Sequence, residues 1–363
     1  MSRVNTHYKR TTMMAGTAWR RAATLVLSGR GAGDELALLM VRRSGKSRHL
    51  PDVEVFPGGI VDDSDFSAAW RPLLTALPLE PLLLSAPRPA TFVERPPVGD
   101  ELPAEIGFRL AALRETFEET GVLLTRPAAG GRPAPLPVAE AERWRPLVQR
   151  RPAELLRLAR ELAVAPDVWS LHEWSAWLTP VAVPGHRHDA AFFVASVPDR
   201  PPCCEDQTET EHVEWRRPAA VLADHAAGTT TLMPPQLYEL SRLQRFGSWS
   251  ALERFSRRRA SLGIQRMLPV VALLSDGHRL GLLPGDELYP AEGEPAADPL
   301  AEPAPLRLPM TLAQAETPGG RWHRTVMGRS SHCTVQLPYG HVGPAYPADR
   351  DSAGTPEKYW VGS

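Results

Sequence analysis

The chain has 363 residues, 43% of them hydrophobic, which is enough for one large domain or a domain with a substantial extension. Its 41 basic and 42 acidic side chains leave a formal net charge of −1, so it lacks the basic surplus expected of a polyanion-binding protein. Three cysteines, Cys203, Cys204 and Cys333, exclude a disulfide scaffold or a four-ligand zinc site and point to a reducing compartment.

The N-terminal stretch "MSRVNTHYKRTTMMAGTAWRRAATLVLSG" carries basic residues, but its apolar run is short, β-rich and followed by a turn. It reads as a first strand rather than a secretory signal. No segment approaches the roughly eighteen uninterrupted apolar residues of a membrane span. The final "VGS" is not a peroxisomal address. A soluble cytoplasmic protein is expected, with neither nucleic acid nor membrane as partner.

From Trp19 to Ser28 and from Glu35 to Arg42, aliphatic and β-branched segments flank "GRGAGD", whose glycines suit a hairpin loop. The next segment, "DVEVFPGGIVDD", is a short strand ending in Pro57, Gly58 and Gly59, where bare backbone can approach a ligand. Prolines every few residues between Phe66 and Pro103 limit that stretch to short helical turns and mark it as an insertion. Helical periodicity runs from Ala104 to Thr120 and stops at Gly121, a C-terminal cap. A further helical stretch, "AEAERWRPLVQRRPAELLRLARELAV", is predicted to split in two at its prolines.

Strands are predicted at "WSAWLTPVAV", "DAAFFVASV" and "EHVEWRRP", and helices at "PAAVLADHAAG" and "PPQLYELSRLQRF". This alternation implies an α/β core. Beyond Phe246 the pattern gives a basic helix, a hairpin turning at Asp276-Gly277, a linker "AEGEPAADPLAEPAPLRLP" and a polar tail.

On the helix before Gly121, Glu118 and Glu119 fall within about sixty degrees on either side of Glu115 at a hundred degrees per residue, so the three carboxylates share one face. Ile106, Leu110, Leu113 and Phe117 fall almost opposite, as a core-facing stripe. Arg114 can reach Glu118 one turn on, but one arginine cannot neutralise three glutamates. A hard divalent cation such as Mg²⁺ or Mn²⁺ would, since it prefers oxygen ligands; the bland alternative is a solvated acidic face. Other polar groups read as structural: His186, His188 and Asp189 as a polar turn, Trp169, Trp174 and Trp177 as core, and "RFSRRRASLGIQR" as an exposed helix face.

Gly59, Asp65, Arg114, Glu115, Glu118, Glu119, Gly121 and Val122 together resemble the Nudix box, G-x5-E-x7-R-E-U-x-E-E-x-G-U with U aliphatic, the signature of the Nudix hydrolases. Asp65 stands for glutamate and Thr116 for an aliphatic residue, and about forty extra residues precede Arg114. Those extra residues are the Pro-rich segment, whose ends can meet at modest cost because closure entropy grows only logarithmically with length. The resemblance implies a Nudix α/β/α sandwich with a mixed sheet over residues 15–247, an insertion at about 66–103 inside the box, and a C-terminal extension over 248–363 with a hairpin and a Pro-rich linker.

The same resemblance implies that Gly59, Glu115, Glu118 and Glu119 hold Mg²⁺ or Mn²⁺, that Arg114 organises them, and that an acidic residue outside the box serves as ligand or base. In "EDQTETEHVEW" Glu209 is chosen for that part among Glu205, Asp206, Glu211 and Glu214. "LMVRRSGKSRHLPDVEVFPGG" is similar to the coenzyme A motif of the superfamily, with Arg43, Ser44, Arg48, Phe56 and Gly58 as the substrate contacts it implies; Asp52 stands where that motif has glycine. Guanidinium groups bind the phosphates of CoA through charge-assisted hydrogen bonds. The implied reaction is hydrolysis of CoA or acyl-CoA to adenosine 3′,5′-bisphosphate and 4′-phosphopantetheine. Another nucleoside diphosphate such as ADP-ribose or a nucleotide sugar, or a non-catalytic Nudix binding module, remain the alternatives.

Overall fold

A computed structural model describes residues 19–44, 53–83, 90–180, 182–183, 185–206, 210–259, 264, 266–290, 305–316, 322–327 and 332–336. The first hairpin is β1 (Arg20–Arg30) and β2 (Leu36–Arg43), antiparallel as the glycine loop predicts. Nearly every residue of β1 is buried, because the sheet is covered on both faces. The alternation survives in what each side chain touches: Ala23, Leu25 and Leu27 belong to one core cluster and Val26 to another.

β3 (Glu54–Val55) pairs with β2 and β4 (Gly58–Ile60) with β1. The insertion then makes short 3-10 turns and one short helix, α1 (Ala90–Val93), before α2 (Ala104–Thr120) begins. α2 ends at Gly121, whose φ of 73° is the left-handed cap the sequence predicts. A small sheet of β5 (Leu124–Pro127), β6 (Ala134–Pro135) and β7 (Val164–Pro166) brackets α3 (Val138–Arg150) and α4 (Glu154–Glu161), which break apart before Pro152.

β8 (His172–Leu178), β9 (His188–Val197) and β10 (Thr210–Arg216) complete most of the main sheet. Among the described residues its order is β10-β2-β1-β9-β8 followed by β11 (Arg266–Met267), with β1 and β9 parallel. One face carries α2, α3, α4 and the insertion; the other carries α5 (Pro218–Ala226), α6 (Pro234–Leu243) and α7 (Trp249–Arg259). This is the α/β/α sandwich with a mixed sheet. The expected boundary after residue 247 falls between α6 and α7, yet α7 packs through Leu252 and Phe255 on the second core cluster and β11 pairs with β8.

α2 departs from the amphipathic expectation. Of its 17 residues only Glu115 and Glu118 escape full burial, because the sheet covers one side and the insertion the other. Phe66 meets Phe108 edge-on at 5.8 Å, and Phe92 lies 5.3 Å from Phe108 and 6.4 Å from Phe193. A Cβ on Gly107 would sit 2.0 Å from the Phe66 ring, so the ring rests directly on helix backbone. The insertion closes at its base, where Leu102 N–H donates to Phe66 O at 2.8 Å.

The C-terminal region also differs from expectation. The predicted hairpin is β12 (Val270–Leu274) and β13 (Arg279–Leu282), but the end of the supposed linker supplies β14 (Leu306–Leu308), while residues 291–304 lie outside the described residues. After α8 (Leu312–Ala315), the supposed polar tail supplies β15 (Trp322–Met327) and β16 (His332–Gln336), making a second sheet in the order β14-β12-β13-β15-β16. Composition concealed β15 because its polar residues are paired and buried. Arg324 donates to both carboxylate oxygens of Asp286 at 2.6 and 2.7 Å, with both residues inaccessible or nearly so.

A buried polar network joins the two sheets. Glu239 on α6 accepts from Trp174 Nε1 at 2.6 Å, Ser175 Oγ at 2.7 Å, Trp177 Nε1 at 3.0 Å and Arg242 Nη1 at 3.0 Å. The next residue back, Tyr238, hydrogen-bonds His323 Nε2 of β15 at 2.8 Å. His323 Nδ1 lies 2.8 Å from the Pro284 carbonyl, which can only accept, so Nδ1 carries the proton and Nε2 accepts from the tyrosine.

Candidate active site

The site starts from the glycine turn. Gly58 aligns with Thr24 and Gly59 with Ala23 of β1. A Cβ on Gly58 would stand 2.5 Å from the Ala23 carbonyl oxygen, and one on Gly59 would stand 2.4 Å from Glu115 Oε2. Only bare backbone fits between the strand and α2. Gly58 N–H donates to Glu119 Oε2 at 2.9 Å, which fixes the third glutamate against the turn.

Arg114 organises the rest. Its guanidinium is 2% exposed and uses every nitrogen: Nε and Nη2 donate to the two oxygens of Asp65 at 2.9 and 3.0 Å, and Nη1 to Glu115 Oε1 and Glu118 Oε1, both at 2.8 Å. Nη2 also reaches Ile60 O at 2.9 Å. The shorter Asp65 carboxylate therefore spans its distance, because a capping box with Asp62 pins it; Asp62 N–H donates to Asp65 Oδ2 at 2.8 Å. Burial alone would depress the Arg114 guanidinium, but Asp65 and then Glu115 override it and hold it charged. Burial pushes the Glu115 carboxyl up to about 7, with Arg114 opposing and Glu118 reinforcing the shift.

The glycine turn, Asp65 and the glutamate helix thus meet despite the residues inserted between them. Among the described residues, no three His, Cys, Asp or Glu side chains converge as a ready-made metal cage. The donor set nonetheless fits a hard divalent cation: it is oxygen only, and Glu115, Glu118 and Glu119 rise from one helix end beside the Gly58-Gly59 turn, with Arg114 bridging the first two.

The chain matches the model of the NUDT19 Nudix domain over residues 19–243. The chain belongs to the NUDT19 Nudix family. It is 37% identical over 361 residues to the Gallus gallus protein named acyl-coenzyme A diphosphatase NUDT19, covering 90% of this chain and 94% of the relative. The human protein of the same name is 34% identical over the same shares. The solved structure of a NUDIX hydrolase from Alicyclobacillus acidocaldarius superposes with a TM-score of 0.51 at 23% identity, covering 66% of this chain and 97% of that one, a likeness of fold.

Within this Nudix frame the remaining expected residues separate. Arg43 ends β2 on the side of Leu39 and Val41, which pack in the α2 cluster, and its Nε is buried without a hydrogen-bond partner. Ser44 Oγ donates to Glu211 Oε1 at 3.0 Å. Phe56, expected to contact substrate, is instead 2% exposed and packs in the α5–α6 cluster, so its place is the core. Arg48 and Glu209 lie outside the described residues.

The bland readings gain partners. Of the residues read as a polar turn, His188 and Asp189 instead begin β9, and the buried Asp189 accepts from Thr91 Oγ1 at 2.9 Å and pairs with Arg266, tying the insertion to β11. Trp174 and Trp177 are core, held by Glu239. Cys203 is a thiol whose pKa burial raises to about 11, which leaves it inert. A cavity of about 160 Å³ lined by Arg42, Glu54, His212 and Arg216 lies on the opposite sheet face from Glu115, since His212 and Glu214 alternate with Val213 of the α2 cluster. Sequence reasoning missed Gly107, although a glycine inside a helix is itself a flag for close approach.

Proposed function

We propose that this Nudix protein hydrolyses the diphosphate link of coenzyme A or an acyl-CoA with Mg²⁺ or Mn²⁺, giving adenosine 3′,5′-bisphosphate and (acyl-)4′-phosphopantetheine. The observation that carries this reading is the Arg114 hub, which gathers Asp65, Glu115 and Glu118 beside the Gly58-Gly59 turn. Relatives covering nearly the whole chain are named acyl-coenzyme A diphosphatase, which supports the choice of substrate.

In this reading Glu115, Glu118, Glu119 and the Gly59 carbonyl hold the cation. When bound, such a cation neutralises diphosphate oxygens and acidifies water. The chain's own residues do the rest. Arg114 keeps two of the carboxylates in position while Asp65 keeps Arg114 in position, the outer layer that orients a metal site. Arg43 supplies a buried, unpartnered donor for a phosphate oxygen, with Ser44 and Arg48 beside it in sequence. Glu209 takes the part of the outer acid or base. A cytoplasmic location accords with the adjacent thiols of Cys203 and Cys204.

Incubation of the purified protein with CoA, acyl-CoA, ADP-ribose and nucleotide sugars in Mg²⁺ or Mn²⁺ tests the reading. Cleavage of CoA or its esters is expected, with a loss of at least about a hundredfold in Glu118→Gln. Preferential cleavage of another nucleoside diphosphate would replace the substrate, and saturable binding without any cleavage would replace the enzyme by a binding module.

A further inference from the structure

Arg145 and Gln149 belong to no motif in the sequence, yet both converge on the end of the glutamate helix. They are one turn apart on α3. Arg145 Nε and Gln149 Nε2 each donate to the backbone carbonyl of Glu118, at 2.9 and 2.7 Å. That carbonyl is one of the last four of α2, which have no acceptor role inside the helix and concentrate the negative end of its dipole. Arg145 Nη1 continues across to the segment before β10, donating to Cys204 O at 3.0 Å and Glu205 O at 3.2 Å. One buried guanidinium, 7% exposed, therefore bolts the helix carrying the three glutamates to the stretch that opens the acidic run from Glu205.

Neighbouring bonds follow the same seam. Cys204 N–H donates to Thr120 O at 3.0 Å, and Thr210 Oγ1 donates to Glu119 O at 3.3 Å. Asp206 Oδ1 accepts from Thr210 N–H at 2.8 Å and Gln149 Nε2 lies 3.4 Å from Asp206 Oδ2, so Gln149 touches both sides of the seam.

We infer that Arg145, with Gln149, is a positioning residue for the reaction: it sets the acidic segment after Cys204 against the C-terminal end of the glutamate helix. The inference rests on the diphosphatase reading and extends it to residues outside the Nudix box. Arg145 touches neither substrate nor cation in this role; it acts through the Glu118 backbone and the 204–206 segment.

The test compares Arg145→Met, Arg145→Lys and Gln149→Leu with the unaltered full chain, by amide hydrogen exchange at residues 117–121 and 204–206 and by CoA hydrolysis across a Mn²⁺ titration. In Arg145→Met exchange at those amides is expected to rise about tenfold or more, kcat to fall about tenfold to a hundredfold, and the Mn²⁺ concentration for half activation to rise, with KM for CoA within about twofold. Arg145→Lys, which keeps the charge, and Gln149→Leu, at an exposed position, should fall between; they decide the matter if Arg145→Met does not fold. Unchanged exchange in the variants, or faster exchange with wild-type kcat and Mn²⁺ dependence, overturns the inference. An unaltered chain that cleaves no diphosphate would overturn the functional reading instead, while the exchange comparison still decides whether Arg145 holds the seam.

Discussion

The insertion between Phe66 and Pro103 leaves the chain and returns to it within the catalytic signature itself, whereas the strands from Val270 to Gln336 follow the main sheet and dock on its far side. The insertion attaches by apolar contact: Phe66, Trp70 and Phe92 join the α2 core cluster, and a backbone bond between Phe66 and Leu102 closes its base. Because the chain is pinched there, Asp65 on one side and Arg114 on the other stay within hydrogen-bond distance. The C-terminal sheet attaches through buried polar groups as well, with His323 on Tyr238 and the Glu239–Arg242 pair behind it. An apolar bolster tolerates changes of sequence if volume is kept; a buried hydrogen bond is directional and leaves an unsatisfied group when broken.

The largest effect should come from cutting the insertion's link to the site. Arg114→Met leaves Asp65 buried and unpaired, which is expected to cost about 3–5 kcal/mol and at least a hundredfold in turnover, roughly, by denaturant titration and steady-state assay. Wild-type stability in that variant would break the claim that Arg114 is the partner that the buried Asp65 depends on.

His323 supplies a pH test confined to the C-terminal attachment. Burial lowers its pKa to about 4, with the Pro284 carbonyl opposing and Arg242 reinforcing the shift. The folded value lies below the unfolded value of about 6.5, so the stabilisation is full above pH 6.5, roughly, and is lost as pH falls toward 4. The loss should reach about 3 kcal/mol at most, and His323→Gln should flatten that part of the stability profile between pH 7 and pH 4.

Gly107→Ala sets two known terms against each other. Alanine favours a helix by about 1 kcal/mol over glycine, but its Cβ would meet the Phe66 ring at 2.0 Å. Overpacking should win, giving a net loss of about 1–3 kcal/mol by thermal unfolding, with activity falling because Phe66 adjoins Asp65. A stabilised Gly107→Ala would show that the insertion does not rest on α2. Smallest of all, Tyr238→Phe should lose about 1 kcal/mol of stability and leave turnover per folded molecule unchanged, since it unties only the C-terminal sheet.

Hydrophobic alternation, glycine and proline placement and the carboxylate spacing on one helix were local properties, so the sequence by itself determined most strands and helices of the main sheet, though not the edge strand β11, together with the cap at Gly121 and the acidic ridge at 115, 118 and 119. Local chemistry also marked the insertion, because prolines interrupt any periodic run. It could not tell that Asp65 meets Arg114 across 49 positions, that Gly107 seats Phe66, or that Arg145 grips the Glu118 carbonyl, since each contact joins segments with no shared pattern. Nor could composition distinguish β15 from a solvated tail. Whether His323 and Arg324 face water or a buried partner depends on what the fold brings opposite them, and only tertiary packing supplied Tyr238 and Asp286.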